Sequence, residues 1–390
     1  MGKIDQQIAE IKDELVLIRK DLHRHPELGF MEFRTAEKIA EYMNNLGFEI
    51  QTGVGGTGVV GLLRGGQAGP TMGIRACLDA LAMDECSGVD YASENKGVFH
   101  GCGHDGNMTM ALGAARILSE YKNTLKGNVK FIFQPAEEET GGAAALIKAG
   151  VLENPRVDAI VHLHNWQGLK EGVIGVKAGP VMASSDAFHL EIIGSPGHGA
   201  WPHMAVDPIV VAADVISAVQ RIVSREIDPI KPALITIGKI NGGTAVNIIP
   251  EKVTLEGTVR TYHQEIRDLI ADRLEEIVKG ITQSARANYK LEYNRIMPPV
   301  NNDSRLAAKV DGILRGSLGP DMVTNDIPSE MGCEEFALFQ QEIPGLFLFI
   351  GKDKEGEPII PIHDSKYIFN DGTLETGVKA LCEIVLNYKQ

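Results

Sequence analysis

Three short segments of this 390-residue chain gather residue types that can hold a metal ion: His100-Gly101-Cys102-Gly103-His104-Asp105, Gln134-Pro135-Ala136-Glu137-Glu138-Glu139 and His162-Leu163-His164. A fourth, Pro361-Ile362-His363-Asp364, lies late in the chain. In Cys102-Gly103-His104 the central glycine lets the backbone turn tightly, so that a thiolate and an imidazole can face one ion, and Asp105 can orient a ring nitrogen from behind. The same segment also reads as a buried cysteine beside a satisfied loop histidine, because no C-x-x-C or H-x-x-x-H spacing accompanies it. Three consecutive glutamates would ordinarily be a solvated helix start. Hydrolysis at a metal, however, asks for two carboxylate roles, one that holds an ion and one that takes and returns a proton. His162 and His164, two apart on a strand, share a face, and one of the two reads as structural.

These segments need elements that bring them to one place. Ile4, Ile8, Ile11, Leu15, Ile18 and Leu22 form one helical stripe that runs into His23-Arg24-His25-Pro26. A second helix is expected over Thr35–Leu46, ending at Gly47. Thr71–Ile74, Val129–Phe133 and Ala159–Leu163 read as buried strands, and Asn107–Tyr121 and Gly142–Ala149 as helices, which predicts an α/β domain with a largely parallel sheet. The metal-type residues then fall at strand ends, where such sheets bind ligands. From Ser184 to Tyr293 the order changes to strand, helix capped by Asp207-Pro208, two strands, a long helix and a last strand. That β-α-β-β-α-β order is a ferredoxin-like unit, read as a domain spanning 184–293 inserted into a catalytic domain of 1–183 and 294–390. The outer domain resumes with helix Ser304–Leu318, strand Leu346–Ile350 and helix Asp371–Asn387.

Composition narrows the function. Hydrophobic residues at 44% and charged residues at 23% support a sizeable core, and the length favours two domains. A formal charge of -14 argues against nucleic-acid or anionic-membrane partners and for small molecules. With no signal-like or membrane-length apolar run, the expected location is the cytoplasm. Five cysteines, Cys77, Cys86, Cys102, Cys333 and Cys382, are widely spaced and do not suggest a disulfide framework. The glycines of Gly53–Gly69 lack the G-x-G-x-x-G rule and predict a hairpin or loop rather than a nucleotide site. No G-x-S-x-G context supports a serine hydrolase.

The residues in combination resemble the aminoacylase, hippurate hydrolase and auxin-conjugate amidohydrolase branch of the peptidase M20 family. The resemblance is carried by Leu22-His23-Arg24-His25-Pro26-Glu27-Leu28-Gly29-Phe30, Cys102-Gly103-His104-Asp105, Gln134-Pro135-Ala136-Glu137-Glu138, His164-Asn165-Trp166 and Gly197-His198 with Pro202-His203. Asp207-Pro208, Gly242-Gly243-Thr244, Asn247-Ile248-Ile249-Pro250, Gly257-Thr258-Val259-Arg260 and Met331-Gly332 extend it from about Leu22 to Asp371. It implies a zinc-exopeptidase-like α/β catalytic domain whose insert serves as lid and dimerisation domain. It also implies two divalent ions, zinc or manganese with cobalt or nickel as substitutes, held by Cys102, His104, Glu138, His164 and His363. Glu137 would be the general acid/base and Asp79 an orienting group. His198 would reach an active site, usually the partner subunit's, to stabilise the oxyanion, and Asn247 and Arg260 would contact substrate. His162 then falls to a packing role.

The implied reaction is hydrolysis of an N-acyl amino acid, with a homodimer or larger homo-oligomer assembled through the insert. A dipeptidase or carboxypeptidase using the same site, and a non-catalytic metal-binding interaction protein, are the competing readings. Several positions depart from the family pattern: Cys77 stands where a carboxylate is usual, Asn107 where a histidine is usual and Gly199 where an alanine is usual. Cys333 and Glu335 replace the usual alanine and aspartate. These departures point to a changed substrate pocket or metal preference.

Overall fold

The computed structural model describes residues 2–139 and 141–388, so the first residue and the last two of the expected outer domain lie outside it. The chain divides into two compact units. Unit 1 comprises 1–179, 301–328 and 338–390, and unit 2 comprises 180–300 and 329–337. Chain order alone assigns 329–337 to the outer domain, whereas in the fold that stretch groups with the insert. Backbone hydrogen bonds explain it: Ala183 donates to the carbonyls of Glu330 (3.1 Å) and Gly332 (2.8 Å).

Unit 1 is built on an eight-stranded sheet. Its first five strands are β1 (Glu49–Val54), β2 (Gly58–Arg64), β3 (Gln67–Cys77), β4 (Lys126–Gln134) and β5 (Ala159–Lys170). The spatial order is β1-β2-β4-β3-β5, then Gly345–Asp353, Ile174–Gly175 and Val323–Thr324. Strands β3, β4, β5 and Gly345–Asp353 run parallel, and the glycine-rich stretch forms the β1–β2 antiparallel hairpin. A parallel sheet is covered on both faces, which is why β3 from Thr71 to Cys77 and β5 from Ala159 to Trp166 are buried throughout and show no alternation. Among the described residues no helix is long and apolar enough to cross a membrane.

Helices α1 (Lys3–Arg24), α2 (Phe33–Asn45) and α3 (His104–Glu120) belong to the layers around this sheet. The α1 stripe buries Ile8, Ile11, Leu15 and Leu22, and with them two cations, Arg19 and His23, both fully enclosed. Their charge meets Asp105 in the first turn of α3. His23 Nδ1 lies 2.8 Å from Asp105 Oδ2 and its Nε2 lies 3.2 Å from Glu85, while Arg19 pairs with Asp105 (3.4 Å) and Asp371 (2.6 Å). Buried charges persist only when paired, so this cluster fixes the start of α3 against α1.

Helix α3 begins three residues earlier than its apolar pattern predicts. Residues 104–106 are buried yet polar or glycine, so they carry no periodic signal, and the helix is entered through Gly103 at φ +82°. A Cβ on Gly103 would lie 2.4 Å from Asn165 Oδ1 and 2.5 Å from Tyr367 Oη. Glycine is required there twice, by conformation and by space. Strand β5 also runs on past Leu163, which puts His164 inside the strand. The two-residue strands Ile174–Gly175 and Val323–Thr324 are too short to leave a pattern.

Unit 2 runs Ser185–Ile193, helix Pro208–Arg221, Ala233–Gly242, Lys252–Thr261, helix Gln264–Ser284 and Asn288–Met297. Its strands pair antiparallel, with Lys252–Thr261 and Ser185–Ile193 central. Asp207 caps the first helix by accepting from Ile209 N at 2.9 Å, and Pro208 sits where its missing N–H costs nothing. The core is Phe188, Leu190, Ile192, Val215, Leu255, Ile270 and Leu274, closed by a buried Arg267–Asp186 pair to which Tyr293 donates at 2.9 Å.

Two outcomes follow from the α1–α3 contact. Burial works to lower the His23 pKa, but Asp105 and then Glu85 outweigh it and raise the value from 6.5 to about 9. A raised histidine contributes stability that is complete below its unfolded pKa of 6.5 and is lost as pH rises through about 9. Melting temperature should therefore fall across that window, and His23→Gln should flatten the dependence while lowering stability on the acid side. Gly103→Ala should destabilise by about 1–3 kcal/mol, from the left-handed φ alone, and, if Cys102 and His104 hold the ion that the resemblance implies, weaken its binding roughly tenfold or more. Thermal melts and competition with a chromophoric chelator measure both.

Candidate metal centre

The site forms where β3 and β4 end, beside the middle of β5. After Cys77 the chain continues to Asp79, which is fully buried. Asp79 meets two other segments: its carbonyl lies 2.8 Å from His104 Nδ1, and its Oδ2 accepts from the backbone N of Glu138 at 2.8 Å. The first contact fixes the His104 tautomer with the proton on Nδ1, leaving Nε2 as the ligand nitrogen. After β4, Ala136 takes φ +46°, rare for a residue with a side chain, and its N donates to buried Glu32 at 2.8 Å. That turn presents Glu137 and Glu138.

The other candidate ligands arrive on neighbouring elements. His164 Nε2 lies 3.5 Å from Cys102 Sγ, and its Nδ1 faces the Asn165 carbonyl at 2.8 Å. Asn165 is itself held by Tyr367, to which its amide donates at 2.8 Å, and its N reaches Asn107 Oδ1 at 3.3 Å. Asn107, standing where the resemblance expects a histidine, is thus part of the support for β5. His363, the most exposed of the set, stands at φ +65° with its N bonded to the Gly101 carbonyl at 2.8 Å. Its Nε2 lies 3.5 Å from Glu138 Oε1, and His104 Nε2 lies 3.9 Å from the same oxygen.

Three overlapping groups result, in each of which the ligand atoms lie within 4.8 Å of one another: Cys102, His104 and His164; Cys102, Glu138 and His363; His104, Glu137 and Glu138. The five residues that sequence resemblance nominates as ligands, and Glu137, are therefore gathered in one cluster. A divalent cation suits it on physical grounds. His104 Nε2 and Glu138 Oε1 are buried and have no hydrogen-bond partner among the described residues, so both would be costly without an ion to meet. Burial pushes the Cys102 thiol well up, and Glu138 and Glu137 push it further. A cation reverses that, because a coordinated thiol is deprotonated outright. Burial also opposes ionisation of Glu138, yet His363 and His104 outweigh it and hold the carboxyl below its usual range.

The remaining nominated residues lie in unit 2. His198 is exposed on a two-residue strand paired with Ile248–Ile249, and its Nδ1 accepts from Ala200 N at 3.1 Å. Its proton is thereby assigned to Nε2, which makes that nitrogen a donor. Asn247 is adjacent, its carbonyl accepting from Gly199 N at 2.8 Å. Arg260 stands on the central strand Lys252–Thr261, with its Nη1 buried and lacking a hydrogen bond among the described residues. His162 is not simply packing: its Nδ1 lies 2.8 Å from the Arg75 carbonyl while its ring meets Phe347 edge-on.

Sequence reasoning gave His23 and Glu27 no role beyond membership of a motif, and Glu32 none. In the fold Glu27 accepts from the N of Arg34 and Thr35 at the start of α2, and Glu32 carries the Ala136 turn. The signal for the first two was the polar run His23–Glu27 after an apolar helix; Glu32, behind Leu28-Gly29-Phe30-Met31, carried none.

The chain matches Peptidase family M20/M25/M40 over residues 73–387. It is 39% identical over 301 residues to the N-acyl-L-amino acid amidohydrolase of Geobacillus stearothermophilus, covering 77% of this chain and 81% of that one. It is 35% identical to Thermostable carboxypeptidase 2 of Saccharolobus solfataricus, covering 99% and 98% of the two chains. Among solved structures it is similar to the Bacillus subtilis protein YXEP, described as a dinuclear metal binding peptidase, with TM-score 0.86, 32% identity and coverage of 97% and 98%. With this sheet, this cluster of ligand-type side chains and these relatives, the chain belongs to the peptidase family M20/M25/M40.

Proposed function

We propose that this protein is a metal-dependent amidohydrolase that cleaves the amide bond of N-acyl amino acids, giving a carboxylic acid and a free amino acid. The observation that carries the reading is the convergence of Cys102, His104, Glu138, His164 and His363 with Glu137 beside them. We assign the first five as ligands of two divalent cations. Bound there, such a pair polarises the scissile carbonyl and lowers the pKa of water from 15.7 toward about 7.

Glu137 receives the proton that the attacking water gives up and passes it to the departing nitrogen, so one carboxylate serves as base and then as acid. Asp79 positions His104 through Nδ1 and Glu138 through its backbone N. His198, with its Nε2 a donor, stabilises the oxyanion of the tetrahedral intermediate, and Arg260 with Asn247 holds the substrate carboxylate. Zinc or manganese fits a set that mixes thiolate, imidazole and carboxylate, with cobalt or nickel able to substitute.

Unit 2 is proposed as a ferredoxin-like lid that also makes a homodimer or larger homo-oligomer. It leaves Trp201, Met204, Ile240, Val246 and Ile248 exposed, apolar surface of the kind that interfaces cover. A cytoplasmic location fits five cysteines that are widely spaced along the chain. A second reading, a carboxypeptidase using the same centre, is favoured by the carboxypeptidase name of the Saccharolobus relative. Glu137 beside the ligand cluster disfavours a non-catalytic role.

Glu137→Gln should keep its metal content by elemental analysis and lose about 10²–10⁴-fold in kcat. Undiminished turnover would remove Glu137 from the mechanism. A panel of N-acyl amino acids and dipeptides assayed on metal-loaded protein should show higher kcat/KM for the acylated class; preference for dipeptides would establish the second reading, and turnover of neither the non-catalytic one. His198→Ala should lower kcat by roughly 10²–10³-fold with metal retained.

A further inference from the structure

Cys77 and His162 are two buried ligand-type side chains of unit 1 that the five-residue centre leaves unused. Both are fully buried, Cys77 as the last residue of β3 and His162 within the adjacent parallel β5. Arg75 pairs in register with His162, so Cys77, two residues on, faces the same side of the sheet as His162 and His164. Cys77 and His162 each bring one ligand atom to within 4.8 Å of the other.

The His162 ring has the hydrogen bonding of a metal ligand. Its Nδ1 is 2.8 Å from a backbone carbonyl, that of Arg75, as His104 Nδ1 is from Asp79 and His164 Nδ1 from Asn165. In all three the bonded nitrogen carries the proton and Nε2 carries the lone pair, the arrangement that readies an imidazole for an ion. The three rings form a row, His104 to His164 and His164 to His162, with centroids 5.6 Å apart at each step. A thiol stands beside two of them: Cys102 by His164 and Cys77 by His162.

We propose that Cys77 and His162 form an additional site for a soft divalent cation, zinc or cadmium in class, beside the two-ion centre and distinct from it. Thiolate and imidazole select such ions over magnesium or manganese. An ion there adds positive charge next to His164, so it enters after the main centre has filled. Excess zinc then acts on the centre through an occupant of its own. The site stands apart from the assignment of the reaction, because it is read from metal content alone.

The test is titration of the metal-depleted full chain with cadmium, following bound ions by equilibrium dialysis and thiolate-to-cadmium charge-transfer absorbance. Wild type should take up about one ion per chain more than Cys77→Ser or His162→Gln, and Cys77→Ser should lose about half of the buried-thiolate absorbance. The exposed Cys86 contributes equally to all three proteins. Each variant's retained binding at the main centre shows that it is folded, and Cys77→Ala replaces Cys77→Ser if the latter does not fold. Equal stoichiometry in all proteins would overturn the proposal. So would loss of absorbance at unchanged stoichiometry, which would make Cys77 a ligand of the main centre.

Discussion

Asp79 ties the candidate centre together. It follows β3, its carbonyl holds the His104 ring at the start of α3, and its carboxylate holds the backbone of Glu138 after β4. Three segments far apart in the chain thus meet at one fully buried residue. The geometry requires β3 and β4 to be parallel and adjacent, since only then do both strands end at the same edge. The sheet therefore determines where the ligands meet, and Asp79 determines how two of them are aimed.

Behind this layer lies a second set of buried charges. His23 and Arg19 on α1 face Asp105 on α3, and they neutralise a carboxylate one residue from His104. Their role differs from that of the ligand cluster, where His104 Nε2 and Glu138 Oε1 have no hydrogen-bond partner among the described residues. One cluster pairs its charges with each other and anchors α3. The other gathers ligand-type side chains next to the Asp79 contacts. This division explains why polar residues dominate a region that is otherwise hydrophobic core.

The helical stripe of α1, the buried parallel strands, the glycine-rich hairpin and the strand–helix order of the insert were legible in the sequence because each follows a period, a run or a cap. The ligand types were legible as well, and the resemblance implied that they converge, although spacing along the chain says nothing of which strands adjoin. Residues 104–106 begin α3 without apolar periodicity, and the extension of β5 through His164 has no turn residue to announce its length. The contacts of Asp105 with His23 and of Ala136 with Glu32 span 82 and 104 positions, and no local pattern encodes them. Placing 329–337 with the insert likewise depends on long-range hydrogen bonds to Ala183.

The central claim is that the strand-end cluster is a two-ion centre. Anomalous diffraction from crystals of the metal-loaded protein, collected at the absorption edge of the bound metal, tests it most directly. The expected result is two peaks about 3.5–4 Å apart, bounded by Cys102, His104, Glu138, His164 and His363. A single peak within that ligand set, or ions bound elsewhere with the set unoccupied, would contradict it.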